Sequence, residues 1–169
     1  MSPPPRFTST PLPPYSYVPG RFPHPHTDPA GHHFAGHGCA VASVDPAAWA
    51  SCEMYLLGID LFNRGYYWEA HEVWESLWHA AGRHGAIAAF LKGLIQLAVA
   101  GVKVRQEMHE SAVAHARRAA ELFHEAAREA GLTQLMGLEL RELAPQAQRL
   151  ADDMPHGGTD QLPVEIPGR

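Results

Sequence analysis

A histidine and a glutamate stand four residues apart in an aromatic and acidic segment of the chain, residues 62–78. At about 100° per residue, helical geometry places His71 and Glu75 one turn apart on a shared face, and Trp78 continues that line at the next turn. An imidazole and a carboxylate at this spacing can bind one divalent cation, or the carboxylate can orient the imidazole. The pattern therefore predicts a polar site, with His71 and Glu75 as candidate metal ligands.

Two ligands do not complete a metal site, because structural zinc takes four protein ligands and catalytic zinc usually three. On the same helical wheel Glu72 points outward and Glu69 lies on the other flank, so we expect neither to be a ligand. The segment also lacks the zinc-protease pattern, in which two histidines stand four residues apart with a glutamate between them. A third ligand must therefore come from another part of the chain.

The next predicted helix carries three polar residues on one line of an otherwise apolar surface, namely Lys92, Gln96 and Lys103. Buried polar groups need partners. We therefore expect Gln96 to hydrogen-bond His71 or Glu75. Lys92 could pair with Glu75 and would then compete with a metal ion. With Trp78, these two residues form the predicted lining of the site.

A second metal-ligating feature is a tract of five histidines near the N-terminus: His24, His26, His32, His33 and His37. Prolines and glycines make this tract stiff and rich in turns. It could bring one or two imidazoles to the His71–Glu75 pair, and the contributors that we consider are His24, His26 and His32. The alternative is a solvent-exposed tract that binds metal adventitiously, since its spacing matches no defined zinc motif.

Proline divides the chain into parts that can and cannot be helical. Of 15 prolines, 11 lie in residues 1–46 and none lies between 47 and 144, and proline breaks helix interiors. We predict an extended Pro/His-rich N-terminal segment over 1–45, a helical domain over 46–153 and a loose C-terminal tail over 154–169.

The N-terminal segment is richer in aromatic residues than disordered segments usually are. Its aromatic residues are Phe7, Tyr15, Tyr17, Phe22 and Phe34. We therefore expect a strap whose aromatic side chains dock on the helices, frayed over about its first dozen residues.

The proline-free middle has apolar residues at the three- and four-residue spacing of helices. The predicted helices cover about 46–64, 66–81, 86–108, 111–130 and 132–153. Pro145 should break or restart the last of them. Short links favour antiparallel neighbours. The predicted fold is all-α, a compact antiparallel bundle of about five helices without strands.

Composition narrows the function classes. The 169-residue chain has a formal net charge of -5, from 13 basic and 18 acidic residues, which disfavours a nucleic-acid partner. Two cysteines, Cys39 and Cys52, are too few for a disulfide framework. The N-terminus lacks a signal-peptide pattern, and the apolar stretch 86–104 is interrupted by lysines and a glutamine. We expect no membrane partner and a cytoplasmic location.

Two segments resemble the bacterial and archaeal family called domain of unknown function 309. Residues 62–78 carry the pattern FNxGxYxEAHExxE, and residues 90–98 carry FxxGLIQxA. The resemblance implies an all-helical fold. It also implies a His-x3-Glu-x2-Trp signature, suspected in that family of metal binding, which falls on His71, Glu75 and Trp78. It implies no particular activity.

The leading hypothesis is a cytoplasmic protein of unknown activity that binds a divalent metal ion or an unidentified small ligand at His71 and Glu75. One alternative is a non-enzymatic interaction or structural module, a homodimer, in which these residues and Gln96 only fix the packing of helices. Another is a metal-dependent hydrolase with Glu75 as ligand or general base.

Overall fold

Five α-helices and a short 3-10 helix account for most of the residues that this computed structural model describes, which are 5–33, 43–156 and 161–167. In chain order the elements are the 3-10 helix Pro46–Ser51, α1 Glu53–Phe62, α2 Tyr67–Ala80, α3 Ala86–Arg105, α4 His109–Ala130, β1 Gln134–Leu135, β2 Leu138–Glu139 and α5 Leu140–Asp152. Each α-helix from α1 to α4 packs against the next, and α5 packs against α4. The predicted all-α bundle is confirmed.

Local signals set several helix ends. The Asp45 carboxylate accepts a hydrogen bond of 2.9 Å from the Ala47 N–H and so caps the first helical turn. The chain is extended at Cys52, with ψ 92°, so the single first helix that we predicted is divided into the 3-10 helix and α1. Gly131 adopts the left-handed conformation, φ 62°, and ends α4.

Helix α3 lies at the centre of the bundle, between α2 and α4. Its side chains Phe90, Leu94 and Leu97 are fully buried, and the absence of a side chain at Gly93 leaves room for the ring of Phe123. By length and composition α3 could cross a membrane, but 72% of its apolar stretch is buried inside the fold. A core helix of a soluble protein has the same properties.

A small hairpin precedes α5, where we predicted no strand. Strands β1 and β2 are antiparallel, with Leu135 opposite Leu138. Met136 and Gly137 between them both have positive φ, 45° and 80°, as two-residue hairpin turns require. Two residues per strand are too few to give the alternation of apolar and polar residues by which a strand is predicted.

The predicted break at Pro145 is wrong, because this residue lies inside the continuous helix α5. Proline costs the helix a main-chain hydrogen bond and some strain. Leu143, Ala144 and Ala147 around it are buried, with at most 2% of their surface exposed. Tertiary packing of this apolar face outweighs the local preference.

The predicted strap is confirmed within residues 5–33. Tyr17 and Val18 are buried, and the Ser16 hydroxyl donates a hydrogen bond of 2.7 Å to the Gly65 carbonyl. Phe22, in contrast, is 41% exposed and stacks on Tyr15 rather than on a helix.

The start of the strap is attached, where we expected fraying. The Asp60 carboxylate of α1 accepts hydrogen bonds from the main-chain N–H groups of Phe7 and Thr8, at 2.8 and 2.9 Å. A buried carboxylate that receives two main-chain donors holds the chain as firmly as a helix cap does. His37 and Cys39 lie outside the described residues.

The C-terminal segment 161–167 is also attached, whereas we predicted a loose tail. Ile166 is fully buried and Leu162 nearly so. The side-chain amide of Asn63, at the end of α1, donates to the Ile166 carbonyl at 2.8 Å and accepts from the Ile166 N–H at 2.9 Å. The Gly- and Pro-rich composition of this segment predicts a loose tail, because composition does not show that the helices provide hydrogen-bond partners for its main chain.

Candidate metal centre

Two histidines of the strap and one glutamate of α2 form a group of potential metal ligands. His26, His33 and Glu72 each offer one ligand atom, and these atoms all lie within 4.8 Å of one another. The closest contact joins His26 Nε2 to Glu72 Oε2 at 2.9 Å, and the other carboxylate oxygen is at 3.1 Å. Two imidazoles and one carboxylate form a donor set that divalent transition metals accept.

Local hydrogen bonds fold the strap so that its two ligands are neighbours. The His33 N–H donates to the Pro25 carbonyl at 2.9 Å, and the Asp28 N–H donates to the His24 carbonyl at 3.1 Å. The chain passes so closely at Gly31 that a Cβ there would overlap the carbonyl groups of residues 24 and 25. This closed turn brings the rings of His26 and His33 to 5.5 Å between centroids.

Trp68 on α2 is the surface on which the turn lies. Its ring is 5.7 Å from that of His26, 5.6 Å from that of His24 and 5.0 Å from that of Tyr17, between centroids. An indole offers a large, rigid apolar area to such rings. Trp68 and Glu72 are one helical turn apart on α2. The strap packs against Trp68 and therefore also lies over Glu72.

Beneath the ligand group lies a buried Glu–His pair. Glu69 Oε1 accepts a hydrogen bond from the Tyr17 N–H at 2.8 Å and lies 3.2 Å from His32 Nε2. Both side chains are 3% exposed. Burial raises the pKa of Glu69 to about 7. Burial, with smaller effects of His33 and His26, lowers the pKa of His32 to about 4. Between about pH 4 and 7 both side chains of this pair are therefore mostly neutral, because a low-dielectric environment disfavours their charged forms.

The predicted pair on α2 does share a face. His71 Nε2 lies 3.6 Å from Glu75 Oε2. His71 Nδ1 is 3.1 Å from the Trp68 carbonyl, which can only accept, so Nδ1 carries the proton and Nε2 has a free lone pair. Within the described residues, the ligand group of three does not include this pair. Metal binding at His71 and Glu75 stays a prediction.

The predicted lining residues make other contacts. Gln96 accepts a hydrogen bond of 2.6 Å from Nδ1 of His115 on α4, so the expected bond to His71 or Glu75 is replaced by one on the opposite side of α3. The buried position lowers the pKa of His115. Lys92 lies over the ring of Trp78, with Nζ 4.2 Å from its centroid, a cation–π contact in place of the expected ion pair with Glu75.

The histidine tract reaches α2, but at different glutamates from the one that we predicted. Of the three contributors considered, His26 meets Glu72, and His32 meets Glu69. The third, His24, uses Nδ1 to accept main-chain N–H groups of its own turn, at 3.3 and 3.4 Å. His33, in the tract but not among those three, completes the ligand group.

Glu72, which we did not expect to be a ligand, is therefore one of the potential ligands, whereas Glu69 lies outside that group and the expectation for it stays a prediction. The helical wheel gives the direction of Glu72 as outward and places Glu69 on the other flank, but neither direction excludes contact with another segment of the chain. The strap covers that face of α2. The available signal was the tract itself, because α2 carries three glutamates that could pair with its five closely spaced histidines, namely Glu69, Glu72 and Glu75.

One comparison with known proteins gives a match. Residues 55–115 match the family model described as Domain of unknown function (DUF309). This range includes Glu72, His71 and Glu75, and it excludes the strap ligands His26 and His33. No curated protein and no solved structure matches the chain. The match covers the helical segment 55–115, so this part of the chain is similar to the DUF309 family.

Proposed function

We propose that the protein binds a divalent transition-metal ion between the strap and α2, through His26, His33 and Glu72. The observation that carries the proposal is the convergence of three donor atoms within 4.8 Å, contributed by segments far apart in the chain. Two ligand atoms on a tetrahedral zinc ion lie about 3.4 Å apart. The His26–Glu72 distance of 2.9 Å needs only a small opening to reach that value, and both side chains are about one-third exposed, at 37% and 30%.

The donor set favours particular metals. Imidazole nitrogens suit Zn²⁺, Ni²⁺ and Cu²⁺, whereas Ca²⁺ and Mg²⁺ prefer sites made wholly of oxygen ligands. Three protein ligands leave a coordination position for water or a small ligand. The exposed position of His33 puts that open side of the site toward solvent.

A metal ion at this place would fasten the strap to the helices. It would replace a single hydrogen-bonded contact between His26 and Glu72 with bonds from one ion to both side chains and to His33. Anything that binds the docked strap better than the released one stabilises the docked state. The proposed role is therefore a metal-dependent closure of residues 24–33 over α2.

Metal titration of the full chain, purified without an affinity tag, tests the proposal. We expect Zn²⁺ to bind the wild type at one equivalent. Glu72→Gln should weaken binding at least tenfold, because the amide keeps the shape but lacks the charge of the carboxylate. Glu75→Gln is the matched control, since it makes the same change one turn further along on α2 and leaves the histidine tract unaltered. Equal affinity of wild type and Glu72→Gln would refute the proposal.

The His71–Glu75 pair is a second candidate for the metal. It is supported by the free lone pair on His71 Nε2, which lies 3.6 Å from Glu75 Oε2. A metal-binding histidine commonly donates its other N–H to a carbonyl, as His71 does to Trp68. If this pair holds the ion, Glu75→Gln loses metal and Glu72→Gln keeps it, so the same two variants separate the candidates.

A further inference from the structure

Buried polar side chains of the helical core bind the main chain of extended segments. Within the described ranges, three polar or charged residues are at most 9% exposed: Asp60, Asn63 and Glu69. Asp60 accepts from the N–H groups of Phe7 and Thr8, and Glu69 accepts from that of Tyr17. Buried polar groups are almost always hydrogen-bonded. Here the buried polar side chains of the helices bind the main chain of the extended segments.

Asn63 makes the most complete of these attachments. Its side-chain amide donates to the Ile166 carbonyl at 2.8 Å and accepts from the Ile166 N–H at 2.9 Å. The Tyr67 hydroxyl accepts a further hydrogen bond of 2.6 Å from the Leu162 N–H. All three bonds use main-chain groups that every residue except proline has. The attachment therefore recognises an extended main chain and not a particular side chain.

Two apolar side chains of the segment give the attachment its sequence selectivity. Leu162 and Ile166 are 7% and 0% exposed. Residues four apart in an extended chain point to the same side, so both can enter the core from one face of the segment. Each is followed by a proline, Pro163 and Pro167, and a residue before proline is disfavoured in the helical conformation. The two prolines thus favour an extended conformation of segment 161–167, which is the conformation in which it binds the helices.

We propose that the groove at Asn63 and Tyr67 is a binding site for an extended peptide of a partner protein, with two apolar residues four positions apart. Residues 161–167 are its internal, displaceable occupant. The family match at 55–115 includes both groove residues and ends well before this occupant, so receptor and occupant are separate parts of the chain. Main-chain hydrogen bonds with pockets for spaced side chains are a recurrent mode of peptide recognition. This proposal is independent of the metal.

The test uses the full chain and a labelled peptide with the sequence of residues 159–169. Leu162→Asp/Ile166→Asp in the protein should release its own segment, because burial of two carboxylates in apolar pockets is strongly unfavourable. We expect the peptide to bind this variant at least tenfold more tightly than it binds the wild type, in which the internal occupant competes. Fluorescence anisotropy gives both affinities.

Two controls examine the hydrogen bonds. Asn63→Asp in the released variant removes the Nδ2 donor at constant shape, and a peptide N-methylated at Ile166 removes the N–H that Asn63 accepts. Each should lose about tenfold in affinity, as expected for one buried hydrogen bond. Equal affinity of the methylated and unmethylated peptides would overturn the proposal, as would absence of binding to a released variant that keeps its helical circular dichroism.

A measurement on the wild type covers the case in which the released variant does not fold. Saturating unlabelled peptide should accelerate amide exchange in residues 161–167 of the protein, because the peptide takes the place of its segment. Unchanged exchange contradicts the proposal. A released variant that dimerises and excludes the peptide would assign the groove to a second copy of the chain, which also contradicts it.

Discussion

Helix α2 has two polar faces that differ in what lies opposite them. Glu69 and Glu72 are covered by the strap and each meets a histidine, at 3.2 and 2.9 Å. His71 and Glu75 face outward, with side chains 24% and 39% exposed, and lie 3.6 Å from each other. The covered face thus contains the metal-ligand donors of the strap, the buried side chains and the groups with shifted pKa values. The open face contains His71 and Glu75, the residues that the sequence pattern singled out.

Helical periodicity therefore identifies which residues share a face but not which face becomes a site. The four residues belong to one short segment and are equally suited to bind metal. A site forms where a second segment brings more donors and removes water, since ligand number and a low dielectric both strengthen the interaction.

The largest expected difference is in the pH dependence of stability. Burial raises the pKa of Glu69 from its ordinary 4.5 to about 7. Between these values the folded carboxyl keeps its proton while the unfolded one loses it. The contribution of Glu69 to stability is therefore present below pH 4.5 and is lost as the pH rises to 7, by about 3 kcal/mol.

Replacing Glu69 with Gln should remove this loss. In EDTA, we expect the free energy of unfolding of Glu69→Gln minus that of the wild type to rise between pH 4.5 and 7. His32 has the opposite dependence, because its pKa is lowered to about 4, but it is present in both proteins and its effect largely cancels in the difference. Urea unfolding across this pH range measures the trend, and a difference independent of pH would contradict the buried position of Glu69.

Truncation of the two faces should give unequal costs. Glu69→Ala leaves the Tyr17 N–H buried without its acceptor, which costs about 1–3 kcal/mol. Glu75→Ala removes a half-exposed side chain from a weak pair and should change stability by no more than about 0.5 kcal/mol. Urea unfolding at pH 4.5, where the folded Glu69 keeps its proton, compares them, and equal costs would mean that the strap does not cover Glu69 in solution.

The smallest effect is expected at the open face. Lys92 interacts with the Trp78 ring, with Nζ 4.2 Å from the centroid. Lys92→Gln should lose this cation–π contact at a cost of about 0.5–1 kcal/mol. Metal affinity should not change, since Lys92 lies outside the ligand group. Tighter metal binding in this variant would instead support the expected competition between Lys92 and a metal at Glu75.

The sequence was sufficient to predict most of the helical frame. Proline distribution, apolar spacing and Gly131 indicated where the helices lie, because these are local constraints on the backbone. The continuous α5 through Pro145 could not be predicted, since only tertiary burial of its apolar face offsets the proline. The hairpin at Met136 and Gly137 was missed because its strands are too short for a periodic pattern.

The candidate site was predictable in kind but not in place. Histidines of the strap and glutamates of α2 were both identified as relevant, and the strap was expected to dock. Pairing His26 with Glu72, and His32 with Glu69, depends on the exact course of the turn at residues 24–33. That course is fixed by main-chain bonds such as the one from His33 to Pro25, which composition and periodicity do not encode.

The most direct test of the metal between strap and α2 is anomalous diffraction at the zinc edge, from crystals of the full chain grown with one equivalent of Zn²⁺. We expect one strong peak within bonding distance of His26, His33 and Glu72, about 2.0–2.2 Å from each ligand atom. A peak at His71 and Glu75 alone, or an intact hydrogen bond between His26 and Glu72 with no peak beside it, would contradict the proposal.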